Sequence, residues 1–271
     1  MIDFLASLNI YVLGLLAGLM TWGVTALGAA TVYLIREFKQ VTLDIMLGFA
    51  AGVMIAASFF SLIIPGLEYA KDYNPGLNPV VVIASGFVVG ALFLLLLDKI
   101  TPHLHIFEKY AEGPNTGFKR STLMVLAITL HNIPEGLAVG VAIGAFGITQ
   151  DVSMLISAIA LTVGIALQNF PEGAAISLPL LGDRGISKHK AFMLGQASAL
   201  VEPVGILIGI ALTQVIQVVL PFALAFAAGA MMFVVIEELI PESQKNNNTD
   251  VATLATIFGL VIMMSLDVLL G

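Results

Sequence analysis

Long apolar runs, broken at intervals by short polar or charged stretches, make up nearly the whole chain. A bilayer core about 30 Å thick is crossed by roughly 20 apolar helical residues. On that scale the pattern predicts eight helical spans, at about 8–35, 43–67, 78–98, 121–147, 152–181, 188–216, 219–241 and 250–270. The breaks are the charged stretch 36–39, the Pro75/Pro79 segment, the polar stretch 98–120, the turns at 147–151 and 182–190, Pro221, and 243–250. Asp3 and Asn9 lead straight into a first run too long for a cleaved signal, so it reads as a retained span. Only the loop 98–120 is long. We therefore expect one all-α polytopic domain over 1–271, without a separate soluble domain.

Composition agrees with this reading: 59% of residues are hydrophobic, only 11% are charged, and mean hydropathy is +1.02. A soluble domain is about one quarter charged. Cysteine is absent, which excludes disulfides and thiolate metal ligands. The net charge of −7 says little about partners, because several acids fall inside spans. Ten of the eleven basic residues fall in odd-numbered loops, and only Lys71 lies opposite. The positive-inside rule makes that side cytoplasmic, the loop 98–120 with it, and both termini external.

Two internal repeats sharpen the picture. Residues 49–52 read FAAG, followed by Met54 and Ile64–Pro65; residues 226–229 read FAAG, followed by Met231 and Ile240–Pro241. These are spans two and seven, which cross in opposite directions. Spans four and five carry HNIPEG at 131–136 and QNFPEG at 168–173. Such inverted pairs, with irregular helices meeting near the midplane, recur in transporters.

The chemistry sits on those motifs. His131 and Glu135 are four residues apart and share a helix face, as do Gln168 and Glu172. Asn132 and Asn169 lie one position along, so each span offers two adjacent ligand faces. At 1.5 Å per residue, His131 lies roughly 18 Å in from Lys119 and Glu202 roughly 21 Å in from Lys188, with Glu172 about 24 Å or less from Lys188. Three carboxylates and a histidine thus share one depth. Each acid costs about 2.5–3.5 kcal/mol there, and the three repel unless protonated or bridged by cations. Oxygen ligands with one imidazole suit Zn²⁺ or another first-row divalent ion. Pro134 and Pro171 free carbonyls near Leu130 and Leu167, beside these ligands.

Plainer readings stand beside this one. The amides can be helix-joining hydrogen bonds, Glu202 can belong to the kink at Pro203, and Met54 can be core packing or a thioether ligand. Glu237, Glu238 and Glu242 near Lys245 can be solvated acids, as can His103 and His105 in a flexible loop; Asp98 and Asp267 read as interfacial. No function attaches to Asp44 or His189.

With these motifs the whole chain resembles the ZIP (Zrt/Irt-like) divalent-metal transporters, most closely the prokaryotic GufA-like branch. The likeness rests on HNIPEG with QNFPEG, on Glu202 in VEPVG, and on FAAGAMMFVVIEELIPE in span seven. It implies a binuclear site between spans four, five and six. His131, Glu135, Gln168 and Glu172, with Met54, would hold one ion; Asn132, Asn169 and Glu202 would complete the second, with Glu135 and Glu172 bridging. It further implies a multi-pass protein of the cell (inner) membrane moving Zn²⁺, Fe²⁺, Mn²⁺ or Cd²⁺ as substrate toward the cytoplasm, often as a homodimer. An elevator-like motion of spans one, four, five and six has been proposed for that fold, and Glu237, Glu238, Glu242, His103 and His105 would lie near the cytoplasmic exit.

Many eukaryotic relatives read HEIPHE where this chain reads QNFPEG, and Glu237 replaces a common histidine. Fewer imidazoles lead us to expect broad divalent uptake. An intramembrane metalloenzyme is the competing class, but its sites usually gather several histidines. One histidine in a span argues against it, as does the lack of HExxH and GxSxG motifs. We expect no catalytic cofactor and no nucleic-acid partner, only divalent ions and the lipid bilayer.

Overall fold

The computed structural model describes residues 2–34, 39–74, 76–104, 110–181, 186–215 and 217–270. Eight helices among them are long and apolar enough to cross a membrane: spans 1 (Ile10–Leu34), 2 (Gln40–Tyr73), 3 (Pro79–Ile100), 4 (Arg120–Thr149), 5 (Val152–Leu180), 6 (Lys188–Gln214), 7 (Leu220–Gln244) and 8 (Thr249–Leu269). No strand occurs among the described residues. Arg36, Lys109, Arg184 and His105 lie outside them.

Local chemistry sets the ends. The side chains of Asn9, Asn78 and Asp151 accept hydrogen bonds from the backbone N–H groups of Tyr11, Val80 and Ser153, each at 2.9 Å, and so cap spans 1, 3 and 5. Gln150, at φ 54°, closes span 4 in the left-handed region, and Asp151 opens span 5 at the next residue. This turn obliges the two motif-bearing helices to run antiparallel.

The irregularities lie elsewhere than in spans 4 and 5, which stay α-helical through Pro134 and Pro171. Spans 2 and 7 instead each pass into a π-helical segment, Ala57–Ile63 and Val235–Leu239, directly before Ile64–Pro65 and Ile240–Pro241. The wider turn takes up the clash between a proline ring and the preceding carbonyl. Span 6 is broken by a 3₁₀ turn at Ser198–Leu200.

Helix pairing follows the repeat. Span 1 packs most extensively on span 5, 6 on 4, 2 on 8 and 7 on 3. Exchanging spans 1, 2, 3 with 6, 7, 8, and 4 with 5, maps these pairs onto one another. The glycines of both FAAG motifs mark equivalent contacts: a Cβ on Gly52 would strike the carbonyl of Thr256, and one on Gly229 that of Phe87. Only a residue without a side chain admits backbones this close, and small residues drive helix association in a membrane.

At one end, Asp44 is fully buried. It accepts hydrogen bonds from Gln40 (3.0 Å), Asn246 (3.0 Å) and Asn248 (2.8 Å), fastening the turn between spans 7 and 8 to span 2.

Candidate metal centre

The predicted polar residues are buried at mid-helix. His131, Asn132 and Glu135 lie near the middle of span 4, and Gln168, Asn169 and Glu172 in the central part of span 5. Glu135, Gln168 and Asn169 are inaccessible, Asn132 and Glu202 nearly so. Gly136 meets the backbone of Glu202, and Gly173 that of Thr25 in span 1, so each Pro-Glu-Gly motif presses against a neighbouring span through its glycine.

Two groupings emerge. In the first, Asn169 of span 5 donates through Nδ2 to both carboxylate oxygens of Glu202 in span 6, at 2.9 Å each, and to the carbonyl of Thr21 in span 1 at 3.3 Å. In the second, His131 Nε2 pairs with Glu238 Oε1 of span 7. Glu135 lies close to Glu172 and Glu202. A narrow cavity of about 20 Å³, on the scale of one water, is lined by His131, Glu172, Glu238 and Glu242 among apolar residues that include Leu47, Ile128 and Leu239.

Eight polar atoms in this region lack a hydrogen-bond partner: both of Asn132, both of Glu135, both of Gln168, Oδ1 of Asn169 and Oε2 of Glu172. Each such atom costs about 1–3 kcal/mol when buried. Their donor set, mainly carboxylate and amide oxygen with one nearby imidazole, is suited to divalent cations. Met54 is fully buried in the apolar core, as is its repeat equivalent Met231.

Glu237 is exposed, but Glu238 and Glu242 are buried and line the cavity. Their four-residue spacing, the same as His131–Glu135 and Gln168–Glu172, was the signal available in the sequence. Asp98, near the end of span 3, is buried within the protein, and His103 is inaccessible rather than solvated. The loop turns back on itself: His103 and Glu112 exchange backbone hydrogen bonds (3.2 and 2.9 Å), and His103 Nε2 meets Asp98 at 2.8 Å. Asp98, Glu237 and Glu238 can bring one oxygen each to within 4.8 Å of one another, as Asp98, His103 and Glu112 can bring one ligand atom each. Asp267, eight residues past Gly259 as Asp98 is past Gly90, is half-buried and accepts from Ser61 at 2.7 Å.

Fold and site together define a polytopic helical membrane protein built around a buried centre of acids, amides and one imidazole. The sequence profile of the ZIP Zinc transporter family matches residues 108–267. The chain is 40% identical to Zinc transporter ZIPB of Bordetella bronchiseptica, covering 94% of this chain and 81% of that protein. It is 38% identical to Zinc transporter ZIP11 of Xenopus tropicalis, covering 95% and 97%, and 34% identical to Zinc transporter GufA of Myxococcus xanthus, covering 95% and 99%. The chain belongs to the ZIP family, a family of transporters.

Proposed function

We propose that this protein carries divalent metal ions, Zn²⁺ foremost with Fe²⁺, Mn²⁺ and Cd²⁺ as further substrates, into the cytoplasm through a two-ion centre on spans 4, 5 and 6. The observation that carries this reading is the set of six unpartnered oxygens gathered on Asn132, Glu135, Gln168, Asn169 and Glu172, both of Glu135 and one of each other residue. A soluble-protein core satisfies such groups, and a membrane core penalises them further. A bound cation offsets that cost and the repulsion between the carboxylates. One ion is held by His131, Glu135, Gln168 and Glu172 with Met54; the other by Asn132, Asn169 and Glu202, with Glu135 and Glu172 shared. The string Glu238, Asp98 and His103 leads from His131 toward the loop 98–120, which the basic residues put on the cytoplasmic side, and metal leaves along it. The termini are external, the chain forms one domain in the cell (inner) membrane, and it acts as a homodimer in the lipid bilayer.

Proteoliposome uptake tests the reading. Purified protein should admit Zn²⁺ and Cd²⁺ down an inward gradient, and His131→Ala with Glu172→Ala should abolish the flux. Absence of flux in the wild type, or undiminished flux in the double variant, would sink it. Competition among Zn²⁺, Fe²⁺, Mn²⁺ and Cd²⁺ tests the breadth of selectivity.

A further inference from the structure

Span 6 reaches Glu202 through a break that side chains stitch together. Three side-chain donors take three carbonyls at the end of its first segment, Lys188–Ala197. Gln196 Nε2 donates to the carbonyl of Met193 (3.2 Å) and Ser198 Oγ to that of Gly195 (2.8 Å). The third donor comes from another helix: Trp22 Nε1 of span 1 reaches the Gln196 carbonyl at 3.2 Å and its side-chain Oε1 at 3.0 Å. The 3₁₀ turn Ser198–Leu200 follows, then Glu202 and Pro203.

Span 1 therefore grips this junction from both sides. Gly18, one turn before Trp22, is in backbone contact with Pro203, and Thr21 accepts from Asn169, the residue that holds Glu202. A polar clamp in a membrane must be satisfied within the protein, and the Trp22 N–H has two acceptors on one residue. Sliding span 6 by one residue would break both bonds and carry Glu202 away from Asn169.

We infer that Trp22 and Gln196 are positioning residues that set the height and rotation of Glu202, and so control occupancy of the second ion site. The inference rests on the two-ion reading above. Neither residue touches an ion; the pair acts through Glu202, as outer partners act on metal ligands elsewhere at a cost of roughly 10–100-fold in affinity when lost.

The test uses the full chain, purified in lipid nanodiscs, with Cd²⁺ as the probe. Trp22→Phe keeps an aromatic ring but removes the N–H, and Gln196→Leu keeps the size but removes both acceptor and donor on the side chain. Glu202→Gln identifies the affected ion. Calorimetry and metal counting on wild type should show two Cd²⁺ per chain. Trp22→Phe and Gln196→Leu should each weaken the ion lost in Glu202→Gln by about tenfold or more, leaving the other ion unchanged. Because Trp22 is the only tryptophan, its emission should shift to shorter wavelength in Gln196→Leu. Two ions bound at wild-type affinity in both variants would overturn the inference while sparing the two-ion site. Equal loss of both ions with a lowered unfolding midpoint would reduce the pair to a structural role and overturn it as well. A wild type that binds fewer than two ions would remove the two-ion reading and this inference with it.

Discussion

His131 of span 4 pairs through Nε2 with Glu238 of span 7, joining the motif helix to a helix 107 positions further along. An ion that takes this nitrogen must displace the carboxylate. Glu238→Gln keeps the shape and withdraws the charge, replacing a charge-assisted hydrogen bond by a neutral one about half as strong. Ion binding at His131 should tighten, by roughly tenfold for a difference of about 1.4 kcal/mol. Calorimetric titration with Cd²⁺ checks this, and weaker or unchanged affinity would contradict the competition.

Glu135 has both carboxylate oxygens unpartnered and is inaccessible. A residue kept for a cation should destabilise the protein without one. Glu135→Gln should therefore raise the stability of the ion-free protein by about 1–3 kcal/mol, while reducing the rise in melting temperature that Zn²⁺ confers on the wild type. Thermal unfolding with and without Zn²⁺ reads both effects; a less stable ion-free variant would refute the assignment.

The two FAAG glycines should respond alike, because each faces a carbonyl across an equivalent helix pair. Gly52→Ala and Gly229→Ala should each destabilise by about 1–3 kcal/mol through overpacking. Gly23, with open space where a Cβ would stand, is the control. Gly23→Ala should be neutral or stabilising by up to about 1 kcal/mol. Unfolding in a single detergent compares all three.

Asp151, at the turn between spans 4 and 5, is exposed, and its carboxyl is held below the usual range by the Ser153 backbone N–H and hydroxyl. A carboxyl lowered on folding stabilises fully above its unfolded pKa, about 3.9, and loses that contribution as pH falls through the lower folded value. Asp151→Ala should cost about 1 kcal/mol at neutral pH. The gap between variant and wild type should narrow as pH drops below about 4. A gap independent of pH would show that the charge plays no part in the cap.

The sequence by itself determined what depends on near neighbours along the chain. Helix formation in an apolar solvent is dictated by run length and the need to satisfy every backbone group internally, so eight spans were legible with boundaries within a few residues except at the C-terminal end of span 2. Four-residue spacing puts His131 with Glu135, and Gln168 with Glu172, on one face whatever the fold. The repeats FAAG and Pro-Glu-Gly announced an inverted arrangement. Tertiary structure alone decided which helices meet, because backbone contacts such as Gly52 with Thr256 depend on residues some two hundred positions apart. It also moved the irregularities from Pro134 and Pro171 to the π segments and the 3₁₀ turn, since a proline's strain can be taken up by wider turns only where neighbours leave room. That packing drew Glu238 to His131, buried Asp98 with His103, and set Trp22 against the junction that carries Glu202.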